Sequence, residues 1–237
     1  MIKSKLELKF YIASDRIMNG FPAKRNLIQI LKEFVSPQKD ILRFLRLLRK
    51  VQYYNSKKGL LSKLISILIK IRYNRTSQKL GFSIDYSSFG YGLVIPHYGT
   101  IVVGGPNKIG NFAVLHTSTC IAGGGKTIGD GLYLSSGSQI IGYLNIGDNV
   151  TIASHSLVIH DCKNNTLQAG APATTKRTQY PSWYQRDGDT YTKRVELVKN
   201  LKKIWNIDKI YRLFKRHSNH CSCAIPLRVI GIRVFRC

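Results

Sequence analysis

Two histidines stand out as side chains that could exchange a proton near neutral pH. His97 lies in "LVIPHYGTIVVGG", an apolar run bounded by glycines, and His116 follows it by 19 residues in "AVLHTSTC". An imidazole has an ordinary pKa near neutral pH, so it can take a proton from an attacking hydroxyl group and release it later. His97 is therefore a candidate for proton transfer, and a surface histidine without a role is the alternative.

A six-residue repeat positions these histidines. Aliphatic residues recur at every sixth place in two series, Val103, Ile109, Leu115 and Ile121, then Ile128, Leu134, Ile140, Ile146, Ile152 and Val158. The two series differ by one residue, which falls at 123–126. A period of six fits neither a helix nor a β-meander and is typical of short strands that coil around three sides. With about 18 residues a coil, 82–163 predicts about four and a half turns, and His116 lies about one coil beyond His97.

Charge divides the chain into three parts. The 237 residues carry a net charge of +25, of which 1–80 contribute +15, 81–175 contribute −1 and 176–237 contribute +11. We therefore predict a basic helical N-terminal region (1–80), a β-helix domain (81–175) and a basic C-terminal extension (176–237). The extension is predicted to hold a helix near 191–205 and a poorly ordered tail at 216–237.

The basic regions contain helical patterns with apolar stripes. The segment 41–51 predicts an amphipathic basic helix, 59–71 is apolar around most of its circumference and predicts a more buried partner, and 191–205 repeats the amphipathic pattern. Such helices pack on a β core or a neighbouring subunit with their cations in solvent. Attachment to an anionic membrane surface is the alternative.

The remaining sequence signals concern cysteines, metals and location. Five cysteines are an odd number and do not indicate a secreted disulfide framework. The "HxxHCxC" pattern near the C-terminus lacks two separated ligand pairs, so no metal site is predicted. The N-terminus has no apolar core of signal-peptide length, and the longest apolar run is "LISILI". We expect a cytoplasmic protein, with peripheral contact at the inner membrane face through the basic regions as a further expectation.

The motifs together resemble a known family. "GLVIPHYGTIVVGG", followed by "KIG", "TIGDG", "IGDN" and "AGAPAT", resembles the hexapeptide-repeat acetyltransferases. The resemblance covers about 80–177 and is to the serine acetyltransferase-like branch, which includes members associated with capsule and surface polysaccharides. It implies a mainly β fold, a left-handed parallel β-helix with an N-terminal helical region and a helical C-terminal extension. It also implies a homotrimer with active sites between subunits and transfer of an acetyl group from acetyl-CoA to a hydroxyl.

The resemblance also assigns roles to residues. It makes His97 the general base, and His116 and Asp85 become candidates for contacting the acceptor or supplying a second polar group. Residues implied to contact acetyl-CoA are the glycine turn, the closing "GxPA" turn and the cations after it, namely Gly123, Gly124, Lys126, Gly170, Pro172, Ala173, Lys176 and Arg177.

Two departures from the serine enzymes bear on the acceptor. Pro96 stands where those enzymes carry an aspartate, so Asp85 or a backbone carbonyl would have to orient His97. The turn "GGGKTIGDG" also lacks the Arg-His pair that reads the carboxylate of serine. These departures favour a sugar hydroxyl in surface-polysaccharide assembly, with serine O-acetylation for cysteine biosynthesis as the alternative.

Two non-catalytic alternatives also stay open. A basic module could bind a membrane or nucleic acid, although no helix-turn-helix, zinc-finger or RNA-binding motif is found and no nucleic-acid partner is predicted. A purely structural β-helix would bind no acetyl-CoA.

Overall fold

The computed structural model describes residues 2–208, and the predicted tail at 216–237 lies outside this range. Four helices come before the β region, and two helices follow it. They are α1 (Lys5–Met18), α2 (Leu27–Val35), α3 (Lys39–Asn55), α4 (Leu60–Leu80), α5 (Trp183–Arg186) and α6 (Asp189–Ile204).

Three sheets form the sides of a coil. The first sheet holds β1 (Phe82–Ile84), β2 (Ile101–Val103), β5 (Thr119–Ile121), β8 (Gln139–Ile140) and β11 (Leu157–Val158). The second holds β3 (Lys108–Ile109), β6 (Thr127–Ile128) and β9 (Asn145–Ile146). The third holds β4 (Val114–Leu115), β7 (Tyr133–Leu134), β10 (Thr151–Ile152), β12 (Leu167–Gly170) and β13 (Ala173–Arg177).

The sheets confirm a parallel β-helix, with helices before and after it in the chain. The first sheet contains five strands, one for each turn of the coil, and its strands all pair in parallel. Only β12 and β13 pair antiparallel among the strands described. The left-handedness of the coil remains an expectation from the family resemblance.

The hexad repeat explains the core of the coil. All ten aliphatic residues of the two series point inward and are at most 4% exposed. Ile101 pairs with Thr119 and Cys120 pairs with Gln139, so these two coils are 18 and 19 residues long. The last coil, from Thr151 to Leu167, is 16 residues long. Because each coil buries its anchors against the coils above and below, stability is shared between neighbouring coils.

A buried ion pair joins the N-terminal helices to the first coil. Arg49 of α3 is fully buried, and its Nε donates to Asp15 Oδ2 of α1 at 2.7 Å. Arg49 also donates to the carbonyl oxygens of Phe89 and Gly90. Asp15 in turn accepts the backbone N–H of Gly92 at 2.9 Å. Both charged groups are therefore satisfied by partners from two helices and the coil.

The C-terminal helices pack on the outer face of the third sheet. Trp183 is 1% exposed, and its indole N–H donates to the carbonyl oxygen of Phe112 at 2.9 Å. Val195 and Val198 of α6 are buried in the same cluster as Phe10 of α1. The apolar stripe of α6 is therefore covered within the chain.

Helix α4 is exposed where the sequence predicted burial. Leu60, Leu64 and Leu68 are all more than half exposed, whereas Ser66 is buried. The prediction that 59–71 is a more buried partner is therefore wrong. No helix within residues 2–208 combines the length and the apolar character needed to cross a bilayer.

Candidate active site

One edge of the coil, where the chain passes from the third sheet to the first, carries three of the histidines. We call it the histidine corner, and it comprises 95–100, 116–118, 135–138 and 153–156. Backbone hydrogen bonds stack its turns, from Ser118 N to Thr100 O, from Gly137 N to Thr117 O and from His155 N to Ser136 O. His97, His116 and His155 therefore lie along one edge, and the first two are on successive coils.

The turn of His97 is held against the end of α4. Gly81 ends that helix with φ +78°, and Gly99 N donates to Leu80 O at 2.9 Å. A Cβ at Gly81 would lie 3.1 Å from the Gly99 carbonyl, so glycine allows the two backbones to approach. His97 itself is exposed, and its imidazole makes no hydrogen bond to any other residue between 2 and 208. Its ring is therefore open to a substrate.

His116 is held more tightly than His97. It is half-buried, and its Nε2 lies 2.9 Å from the hydroxyl oxygen of Tyr133. Burial lowers the pKa of His116, and the neighbouring His97 lowers it further, against a smaller opposing effect of Asp187. His116 is therefore neutral at neutral pH.

Tyr133 is a site residue that the sequence reasoning missed. It points outward from the third sheet, one residue before the inward anchor Leu134, and the Arg186 guanidinium lies 5.2 Å from its ring centre. Burial raises the pKa of Tyr133, so its hydroxyl is protonated at neutral pH and can hydrogen-bond to His116. The register Leu115–Leu134 could have placed Tyr133 beside the coil of His116. Nothing in the local sequence indicated Arg186.

Asp85 does not lie beside His97 within the chain. It follows β1 at the passage from the first sheet to the second, where its Oδ2 accepts hydrogen bonds from the hydroxyls of Ser87 and Ser88. Because Ile84 pairs with Val103, Asp85 lies beside the residue after β2, whereas His97 comes before β2 begins. The suggestion that Asp85 orients His97 is therefore not supported within a single chain.

A second edge, where the chain passes from the first sheet to the second, carries the glycine turns. We call it the glycine corner, and it comprises 104–107, 122–126 and 141–144. A Cβ at Gly104 would lie 2.8 Å from the Gly123 backbone, and one at Gly124 would lie 3.0 Å from Gly105 O. A Cβ at Gly123 would meet nothing within 4 Å. Gly123 therefore leaves open backbone at the surface, as the predicted contact with the extended arm of acetyl-CoA requires.

Lys126 closes this turn from inside. Its side chain is 2% exposed, and its ammonium donates to the carbonyl oxygen of Ala122. Its backbone N–H donates to Asn107 Oδ1 at 2.9 Å, and burial lowers the pKa of the Lys126 amine. The side chain holds the glycine turn in place. The predicted contact between Lys126 and acetyl-CoA is therefore not supported by its position.

The closing turn lies at the far end of the coil. Gly170 has φ +106°, Pro172 is exposed, and the buried Ala173 accepts a 2.7 Å hydrogen bond from His160 Nε2. Lys176 and Arg177 are both exposed on β13. Both cations are exposed, with the Arg177 guanidinium 5.9 Å from the Tyr180 ring centre, and they can meet phosphate groups as the resemblance implies.

The described residues contain no metal cluster. No group of three or more His, Cys, Asp or Glu side chains within 2–208 is arranged to hold a metal ion. Cys120 and Cys162 are unpaired thiols, and burial raises the pKa of Cys162 to about 11. The "HxxHCxC" segment lies outside the described residues.

Comparisons with known proteins find sequence similarity to serine acetyltransferases. No family model matches the chain. The chain is 32% identical over 122 residues to serine acetyltransferase 3, mitochondrial, of Arabidopsis thaliana, which covers 47% of this chain and 30% of that protein. It is 27% identical over 96 residues to the serine acetyltransferase of Helicobacter pylori J99, and this alignment covers 38% of this chain and 56% of that protein.

A solved structure gives a further comparison. The crystal structure of Neisseria gonorrhoeae serine acetyltransferase aligns with a TM-score of 0.48 and 19% identity, over 78% of this chain and 83% of that one. The chain spans between 30% and 56% of the lengths of the two curated relatives described above. The sequence similarity supports the resemblance of this chain to the serine acetyltransferase-like hexapeptide-repeat acetyltransferases.

Proposed function

We propose that this protein transfers an acetyl group from acetyl-CoA to an acceptor hydroxyl. The observation that carries the proposal is the pairing of an open imidazole, His97, with a neutral one, His116, on successive coils of one corner. The similarity to proteins named serine acetyltransferase supports the same chemistry.

In this reaction His97 takes the proton of the acceptor hydroxyl while the hydroxyl oxygen attacks the acetyl carbonyl carbon. A C–O ester bond forms, the C–S bond of acetyl-CoA breaks, and the proton passes from His97 to the leaving sulfur. His116, held by Tyr133, remains neutral and offers a hydrogen-bonding group beside His97. A neutral neighbour adds no charge repulsion when His97 becomes an imidazolium.

We propose a homotrimer as the active assembly. The histidine corner and the glycine corner are different edges of one coil, so a single chain does not bring His97 to its own open Gly123 backbone. Exposed apolar side chains lie at both edges, with Tyr98 beside His97 and Ile141 and Tyr143 at the glycine corner. A second copy whose glycine corner meets the histidine corner would cover these side chains and complete the site.

Serine is the acceptor that the names of the relatives favour. A sugar hydroxyl is the second candidate, because Pro96 replaces an acidic residue and the glycine turn lacks an Arg-His pair. A site without charged groups for an amino acid should discriminate poorly in favour of serine.

The test is release of the CoA thiol from acetyl-CoA, followed with a thiol reagent in the presence of serine or of sugars. Turnover on serine that is far more efficient than turnover on any sugar would establish serine and exclude the sugar. The reverse result would exclude serine. A protein that releases no thiol with any hydroxyl compound, although acetyl-CoA raises its melting temperature, would contradict the proposed transfer.

The role of His97 is tested by two matched variants. His97→Asn should lower kcat/KM by roughly 10²–10⁴, which is the usual contribution of a general base. His155→Asn is the control, because His155 is exposed on the same corner and asparagine tolerates its φ of +56°. Equal activity of the two variants would exclude His97 as the base.

A further inference from the structure

We propose that α2, α3 and α4 form a surface that docks the protein on an anionic lipid bilayer. Two helices with outward apolar faces flank a row of cations on α3, and this combination fits the interface of a negatively charged membrane. The proposal concerns a surface apart from the histidine corner and does not depend on the acetyl transfer.

Helix α2 presents its apolar side to solvent. Its one buried residue is the acidic Glu33, whose carboxylate pairs with Arg16 at 2.5 Å and Arg25 at 2.9 Å. Leu27 and Leu31 are at least 70% exposed, and Phe34 is also exposed. The helix is therefore anchored to the rest of the chain by the ion pairs of Glu33, and its apolar face lies in solvent. A helix that packs on a hydrophobic core shows the opposite arrangement.

Helix α4 shows the same inversion. The side that meets α3 carries Ser66, Tyr73 and Thr76, all of which are buried. Its first three turns expose six large aliphatic side chains, Leu60, Leu61, Leu64, Ile67, Leu68 and Ile71. An apolar surface of this kind marks an interaction site.

A row of cations lies between the two helices. Arg43, Arg46 and Lys50 follow one another on α3 at helical spacing, and none of the three makes a salt bridge within residues 2–208. Burial lowers the pKa of Arg46, and nearby Arg25 lowers it further. Burial and then Arg46 and Arg72 lower the pKa of Lys50. Arg43 and Arg46 line a cavity together with Phe34 of α2, and Arg43 lines a second cavity with Arg72 of α4, so the row borders both helices. Its cations repel one another.

A cavity beside this row suits an anionic head group. It measures about 220 Å³ between α1, α2 and α3 and is lined by five cations, Arg16, Arg25, Lys39, Arg43 and Arg46. The two carboxylates that line it are already paired, Asp15 with Arg49 and Glu33 with Arg16 and Arg25. The Nη2 of Arg16 is buried without a hydrogen-bond partner among the described residues. The apolar walls include Phe34 and Leu42, beside which an acyl chain can lie.

The net charge of this surface favours a bilayer over a second copy of the chain as its partner. The region 1–80 has a net charge of +15, so two copies meeting through this face would oppose two sets of unpaired cations. Anionic lipid head groups supply negative charge that pairs with these cations, and the adjacent acyl chains cover the exposed leucines.

The experiment is sedimentation of the full chain with vesicles of phosphatidylcholine mixed with phosphatidylglycerol, compared with vesicles of phosphatidylcholine alone. We expect binding to the mixed vesicles that weakens with added salt, because screening acts on the charge contribution. Leu61→Ser/Leu64→Ser/Leu68→Ser should weaken binding at least about tenfold. Arg43→Gln/Arg46→Gln should weaken it roughly thirtyfold.

The matched control is Lys193→Gln/Lys199→Gln, which removes two exposed charges from α6, whose apolar stripe is covered. It should keep binding within about threefold of the original chain. Equal loss in the α3 and α6 charge variants would overturn the proposal and indicate binding by net charge alone. The proposal would also fail if the leucine variant bound vesicles normally but lost self-association in light scattering, which would make a second copy the occupant.

Discussion

The β-helix and the N-terminal helices treat their large apolar side chains in opposite ways. The coil turns all ten repeat anchors inward, whereas α2 and α4 leave twelve large apolar side chains exposed. The coil buries its own apolar side chains because each turn covers the next. The helices have no such neighbour within the described chain, so their outward faces need a partner from elsewhere.

Charge follows the same division. The coil region 81–175 is nearly neutral at −1, and the region 1–80 carries +15. The coil holds the histidines proposed for catalysis, and the helices hold the cations proposed for docking. The two proposals therefore assign acetyl transfer and membrane docking to different parts of the chain.

The largest expected effect is at the joint between the two regions. Asp15→Asn should lower the free energy of unfolding by about 3–5 kcal/mol, because it leaves the fully buried Arg49 without its counter-charge. Asp40→Asn, which breaks the exposed Asp40–Lys79 pair, is the control and should cost less than about 1 kcal/mol. Urea unfolding measures both, and equal costs would show that the buried pair does not join the regions.

The next effect compares one leucine in each region. Leu134→Ala removes a fully buried coil anchor and should cost about 2–5 kcal/mol. Leu64→Ala removes a side chain that is 53% exposed on α4 and should change stability by less than about 0.5 kcal/mol. Both values come from urea unfolding without lipid. A large cost at Leu64 would mean that α4 is covered in solution and would break the comparison.

A smaller effect is expected inside the candidate site. Tyr133→Phe removes the hydroxyl that lies 2.9 Å from His116 Nε2, and the loss of this hydrogen bond should lower kcat about fivefold. Tyr180→Phe is the control, since the Tyr180 ring also lies near Arg186, whereas the hydrogen-bond partner of His116 is Tyr133. The two kcat values should differ, and the same kcat in both variants would remove Tyr133 from the site.

The smallest effect is the pH dependence of stability from His116. Its folded pKa lies below its unfolded value of about 6.5, so acidification through that range protonates the unfolded chain first and favours unfolding. Between about pH 7.5 and about pH 5.5 the original chain should therefore lose more stability than His116→Asn. His160, whose pKa is raised by backbone carbonyls of Asp161 and Ala173, acts in the opposite direction and cancels in the comparison. Equal losses would show that His116 is not shielded from water.

The coil was predictable from the sequence because the six-residue repeat that defines it can be recognised within short segments of the chain. The six-residue spacing determined which side chains point inward, and the 19-residue interval placed His116 next to His97. Neither conclusion needed knowledge of distant contacts.

The parts that sequence reasoning missed depend on long-range packing. Tyr133 contacts His116 beside Trp183 and Arg186, which come 50 and 53 residues later in the chain. From the sequence, Lys126 is expected to be an exposed cation. In the structure its side chain turns back and the ammonium donates to the carbonyl oxygen of Ala122 in the same turn. For α4, an apolar composition alone could not reveal that the serine side would face α3.

The measurement that most directly tests this division of roles is the rate of CoA thiol release by Leu61→Ser/Leu64→Ser/Leu68→Ser in solution without lipid. If the coil carries the chemistry and α4 carries the docking surface, this variant should turn over within about twofold of the original chain while it loses vesicle binding. A fall in turnover to the level of His97→Asn would contradict the account, because it would make the exposed face of α4 part of the catalytic assembly.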